Sequence, residues 1–226
     1  MKLKKIASLM LAGVMAVSML AGCSNTAVDP EPTPDPDPVP ATGSSITLGE
    51  EVGVEKDFIT FADNADDVAA LQDALGNLSS TGVYDSARLP KTVTPVTSWN
   101  PNEDMKLVVS DFAESAEITN TNLGAWSMNH DLLHHFNKNA DETMKYGLLF
   151  VVDGTVEDDK ALAQIADMIK GDIADLPNVN VSFNDRYTYD YTVSASVVNK
   201  ALEPFAGYTV SADFIAVTVT RVPTAA

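Results

Sequence analysis

Apolar and polar positions divide the chain into an apolar leader, an extended polar stretch, and a body where short apolar runs alternate with helical stripes. Phe58-Ile59-Thr60-Phe61-Ala62 is short and apolar and predicts a strand. Asn64 follows as an N-cap with Asp67 three residues on, and Val68, Leu71, Leu75 and Leu78 mark one helical face to about residue 79. Residues 81–102 are rich in Thr, Pro and Ser and read as a long connection with one edge strand at 92–97. Met105 to Val109 is apolar and β-branched, the composition of a strand. Residues 122–137 read as helical.

The C-terminal third is more regular. Tyr146 to Val152 predicts a buried strand. Thr155 is placed to cap a helix whose apolar residues Leu162, Ile165, Ile169, Ile173 and Leu176 recur at three- and four-residue steps, ended by Pro177-Asn178. Val179, Val181 and Phe183 alternate with polar residues, Asn184-Asp185 supplies a turn, and Tyr187, Tyr189, Tyr191 and Val193 alternate again. A short helix is expected from Ser196 to Phe205 and a last strand from Tyr208 to Val222. Strand, helix, strand, strand, helix, strand is the order of a ferredoxin-like unit (βαββαβ). The fold class expected is thus α+β, with a mixed or largely antiparallel sheet and helices on one face. One domain spans 46–226, divisible into sub-units at about 46–142 and 143–226. The strands ending at Asp63 and Asp153 echo each other, although any strand-to-helix turn favours an acid there.

The first residues carry an address. Lys2, Lys4 and Lys5 precede an uncharged apolar run from Ile6 to Leu20, and Leu20-Ala21-Gly22 lead directly to Cys23. About fifteen apolar residues make roughly 22 Å of helix, short of the roughly 30 Å hydrocarbon core, so the run reads as a removable leader. The Leu-Ala-Gly-Cys run resembles the lipobox of bacterial lipoproteins. That resemblance implies a signal peptide at 1–22 and a lipid anchor, of palmitate type, on Cys23. Cys23 is the one Cys of the chain, so the domain carries no disulfide and no thiol chemistry. From 24 to 45 runs a stalk centred on Asp29-Pro30-Glu31-Pro32-Thr33-Pro34-Asp35-Pro36-Asp37-Pro38-Val39-Pro40. Proline at alternate positions leaves polyproline II as the accessible state, and the interleaved acids stiffen it. The expected location is a cell membrane, lipid-anchored and facing away from the cytoplasm.

Charge narrows the partners. The chain has 14 basic and 32 acidic residues, and removing the leader takes three of the basic ones, so the net charge moves from −18 to −21. Such a surface argues against nucleic acid and against docking on anionic lipid.

Three groups of residues have candidate chemistry. His130, Asp131, His134 and His135 hold all the histidines, at the one-turn spacing by which a helix face offers imidazole and carboxylate to a Zn²⁺-type ion. A helical wheel sets these four opposite the apolar side, so the competing reading is a solvated polar face. Asp153, Glu157, Asp158 and Asp159 crowd one turn and could hold Ca²⁺, but without calcium-loop spacing they read better as helix-capping acids. Tyr187, Tyr189 and Tyr191 share a strand face that could stack on a sugar or peptide; against this, Thr188, Asp190, Thr192 and Ser194 make the opposite face the solvent-like one. No Gly-x-Ser-x-Gly elbow, Ser-x-x-Lys pair, phosphate-binding glycine loop or dinucleotide fingerprint is present. No cofactor is called for beyond a divalent metal at the histidines. The sequence thus reads as an anchored binding or scaffolding domain for an extracellular or envelope partner. Its alternatives are a structural envelope protein without a small ligand, and a metal-binding protein or metal-dependent enzyme built on the histidines.

Overall fold

Leu148-Leu149-Phe150-Val151-Val152 has no polar position, so a strand made from it needs cover on both faces. The computed structural model describes residues 43–76, 78, 89–96, 103–120, 123, 132–133, 135–136, 139–182, 185–202 and 210–225, and it provides that cover. The described helices are α1 (Ser44–Val52), α2 (Ala65–Gly76), α3 (Glu103–Ser115) and α4 (Asp158–Ala174). The strands are β1 (Ile59–Phe61), β2 (Thr94–Pro95), β3 (Met144–Asp153), β4 (Val179–Ser182), β5 (Asp185–Leu202) and β6 (Val210–Ala225). They form one open mixed sheet in the order β1-β5-β6-β3-β2, with β4 also on β5. Among the described strands only β1 runs parallel to its neighbour. The class is α+β.

Helices cover both faces of this sheet, rather than the one face expected. Tyr146, Leu148, Phe150 and Val152 of β3 share a core with Leu48 and Val52 of α1 and Leu162, Ile165 and Ile169 of α4. The intervening Leu149 and Val151 point the other way, into a core with Leu71 and Leu75 of α2 and Met105, Val108 and Phe112 of α3. The two expected sub-units are not separate bodies, because β1 and β2 of the first pair with β5 and β3 of the second.

Four expectations about elements are corrected. Met105 to Val109 is helical: Met105, Val108, Phe112 and Ala116 are buried while Leu107 is 55% exposed, a helical period that a five-residue window hides. Ser196 to Leu202 is strand, paired with β6 residue by residue from Ser196↔Ala216 to Leu202↔Val210, so the ferredoxin-like order lacks its second helix. Ser44 and Ser45, counted with the stalk, belong to α1. Thr155 is not the cap of α4 either; Glu157 holds that position, without a side-chain cap bond.

Both long sheet edges are closed by other parts of the chain. Along β3, Thr119 N donates to Lys145 O, the Asn120 amide brackets Gly147 through both N and O, Leu149 N donates to Leu123 O, and Asp153 N donates to Pro90 O. Along β5, Tyr189 N donates to Asn178 O, Tyr191 N to Phe58 O, and Ala195 N to the Ser45 hydroxyl at 2.8 Å. This removes most of the bare edge that would otherwise recruit another strand. Gly147 is fixed by the same closure, since a Cβ there would collide with the Ile118 side chain.

Candidate functional site

Between the start of α2, the turn after α3 and the adjoining ends of β3 and β6 lies a polar groove of about 820 Å³. Each wall follows from local sequence. Asn64 begins α2, its Oδ1 accepting the Asp66 amide at 3.0 Å, which brings Asp66 and Asp67 into the first turn, where unpaired amides and the helix dipole favour acids. Asp67 does not turn back to its cap; it is fully buried beneath the groove. One of its oxygens takes an ion pair with Lys145 Nζ, and the other accepts from the Thr218 hydroxyl at 2.7 Å. Lys145 and Thr218 reach it because they share the sheet face of Leu149 and Ala216.

The opposite wall is the end of α3. Glu117 N donates to Glu114 O and Ile118 N donates to Ala113 O, the paired bonds of a Schellman motif, with Glu117 in the left-handed position at φ 56°. That position is ordinarily glycine. Asp73, exposed on α2, completes the acidic mouth with Asp66 and Glu117. Of these groove acids only Asp67 has a basic partner among the described residues.

Thr119 links the groove to His135. Its amide and hydroxyl both donate to Lys145 O, at 2.8 and 2.7 Å, and its Oγ1 lies 2.7 Å from His135 Nε2. The Thr119 hydroxyl thus stands within hydrogen-bond reach of both groups, the direction of its bond to His135 following the imidazole tautomer.

The expected sites fare differently. His135 does not belong to a solvated face: it is 9% exposed, with Tyr146 edge-on at 5.7 Å, because its place on the wheel adjoins the apolar arc and the core claims it. His130, Asp131 and His134 lie outside the described residues, as does Cys23. Among the described residues no group of three or more His, Cys, Asp or Glu is arranged to hold a metal. Asp153 accepts from Thr155 N at 2.9 Å and pairs with Lys91 at 2.6 Å. Burial pushes its carboxyl up, but Lys91 and Thr155 outweigh that and hold it below the usual range. Glu157 pairs with Lys160, while Asp158 is pushed up by burial and by Asp159.

The tyrosine face turns inward. Tyr189 and Tyr191 are each 2% exposed, packed with Phe58, Phe136 and Tyr146, and Tyr191 donates to Pro177 O at 2.9 Å; Tyr187 is half-buried. They continue the buried row Val193, Ala195 and Val197, so no exposed ladder is presented. Arg221, at the end of the row Ile215, Val217, Val219 on β6, is fully buried beside them. Its guanidinium lies 4.5 Å over Tyr189 and donates to Phe136 O, Asn139 O and Glu142 O, tying these three residues to the sheet.

Sequence reasoning missed the groove. Asp67 was legible only as a capping acid, and nothing in the order of residues places Lys145 or Glu117 beside it. No protein-family model, no curated protein and no solved structure matches this chain.

Proposed function

We propose that this chain is a lipid-anchored lipoprotein, carried outside the cytoplasm on Cys23 and a proline-rich stalk, whose α+β domain binds a partner and does not catalyse. Leu20-Ala21-Gly22-Cys23 and the stalk support the anchoring. For the domain, the observation that carries the reading is the groove itself: a concave polar surface whose floor is a fully buried Asp67 satisfied by Lys145 and Thr218. Concave sites with a few fixed polar groups are where ligands are held.

Anchoring and binding have separate tests. Cys23→Ala should release the domain to the medium or leave an unprocessed precursor; normal processing with unchanged membrane retention would refute the anchor. For the groove, carboxyl labelling of intact cells should protect Asp73 and Glu117 relative to the purified chain, while Glu50 and Glu51 of α1, on the other face of the sheet, label equally in both. Equal labelling at all four would refute binding in the groove.

A further inference from the structure

Away from the groove, we infer that the C-terminal end of β5 is a docking edge, to which an extended acidic segment of a partner polypeptide adds as a further strand. The direction of the backbone groups fixes the edge. Tyr191 N and Ala195 N both bond away from β6, to Phe58 O and the Ser45 hydroxyl. β5 keeps unbroken register with β6 as far as Leu202↔Val210, so the N–H and C=O of Asn199 and Ala201 point the same way. There the cover ends. Asn199 and Ala201 are exposed, and among the described residues no group bonds their backbone on that side. A row of open amides and carbonyls in a sheet otherwise closed at its edges is a template for another strand.

The surroundings say what kind of strand fits. Ile46 follows Ser45, the residue that holds Ala195, and is 51% exposed, an apolar contact beside the open stretch. Asn199 donates from its side chain to Asp213, which keeps further acids off that face of the sheet. Lys200 projects from the other face and pairs with no acid among the described residues. From Tyr191 to Leu202 the chain has no acid at all, although it carries 32. An added strand with acids on the Lys200 face and apolar residues on the Ile46 face therefore matches both sides. Repulsion between chains of net charge −18 disfavours a second copy in that place.

The test adds capped heptapeptides to the full chain in non-ionic detergent and follows calorimetry and amide hydrogen exchange. Alternating valine and glutamate should bind and slow exchange at Asn199 and Ala201, while alternating valine and lysine should not. N-methylation of one alternate set of its residues should weaken binding at least about fivefold and of the other set less than about twofold, because an added strand bonds through one edge only. Ala201→Pro removes an outward N–H but no bond to β6, and should weaken binding as much while the β5–β6 amides stay protected. Lys200→Glu should weaken it about fivefold, and Lys170→Glu, the same change in net charge on α4, less than about twofold. No binding, equal effects of the two methylated sets, or equal effects of the two lysine variants would each overturn the inference. Slow exchange at Asn199 and Ala201 without peptide, quickened by dilution, would give the edge to a second copy and overturn the partner. The groove is judged separately, by labelling at Asp73 and Glu117.

Discussion

Glu117 shows what one residue costs when its backbone is set by its neighbours. The Schellman bonds at the end of α3 require a left-handed residue there, and a side chain with a Cβ adopts that conformation less readily than glycine. Glu117→Gly should therefore raise the unfolding free energy by about 0.5–1 kcal/mol in denaturant titration. A loss of stability would mean that the carboxylate, not the backbone, holds the turn. Asp67 presents the reverse case. Its charge is fully buried and its oxygens are answered by Lys145 and Thr218, so Asp67→Asn, which removes the charge and leaves Lys145 facing an amide, should cost about 2–3 kcal/mol. The midpoint of urea unfolding at pH 7 reads this out, and an unchanged midpoint would show that the pair is not formed. Asp67 was read from sequence as the partner of Asn64 in a cap. The position was right and the partner was not, because a cap is local while Lys145 and Thr218 are 78 and 151 residues away.

Among elements, α1 illustrates how a short helix is fixed from outside its own sequence. Gly43 N and Ser45 N donate to the two oxygens of Asp63 at 2.8 and 3.0 Å, so the acid at the end of β1 caps the helix that precedes it, not α2. Burial pushes the Asp63 carboxyl up, but the amides of Ser45 and Gly43 and the Ser45 hydroxyl hold it below the usual range. The Ser45 hydroxyl then closes the β5 edge by accepting from Ala195 N. Ser45→Ala leaves that amide without its acceptor and should cost about 1–2 kcal/mol, with faster hydrogen exchange at Ala195 than in the parent chain. Unchanged exchange there would show that another group covers the edge. Element type was legible wherever the apolar pattern was long: α2 and α4 follow their period, β6 its alternation, and β3 its unbroken apolar run. It failed where the window was short. Five residues from Met105 look like a strand until Phe112 and Ala116 extend the helical period. Ser196 to Leu202 becomes strand because Val197 and Val198 are β-branched and each meets a partner on β6, a long-range contact that overrides local preference.

At the scale of the whole molecule, the buried acids set a pH response. Burial and Asp175 push Asp172 up to about 6, and Asp158 and Asp213 are also raised, chiefly by burial. A carboxyl raised in the folded state stabilises when protonated, and that contribution is lost as pH rises through its folded value. Asp63 and Asp153 are lowered, so their contribution is present above the unfolded value and is lost as pH falls through the folded one. Stability should therefore rise as pH falls from 7 to about 5 and drop below about 4. Asp172→Asn should raise the thermal midpoint at pH 7 by the equivalent of roughly 1 kcal/mol and flatten the gain between 7 and 5. A midpoint that climbs steadily toward pH 8 would contradict this assignment. What the sequence by itself determined is whatever depends on near neighbours: the apolar N-terminal run ahead of Cys23, the alternating prolines from Pro30 to Pro40, the acid excess, and the longer helices and strands whose pattern is written along them. The tertiary structure alone decided which helix covers which face, and that Asp67 and Glu117 stand across one groove. Those outcomes depend on pairing between segments far apart in the chain, where burial and hydrogen bonding are shared by residues that no local pattern connects.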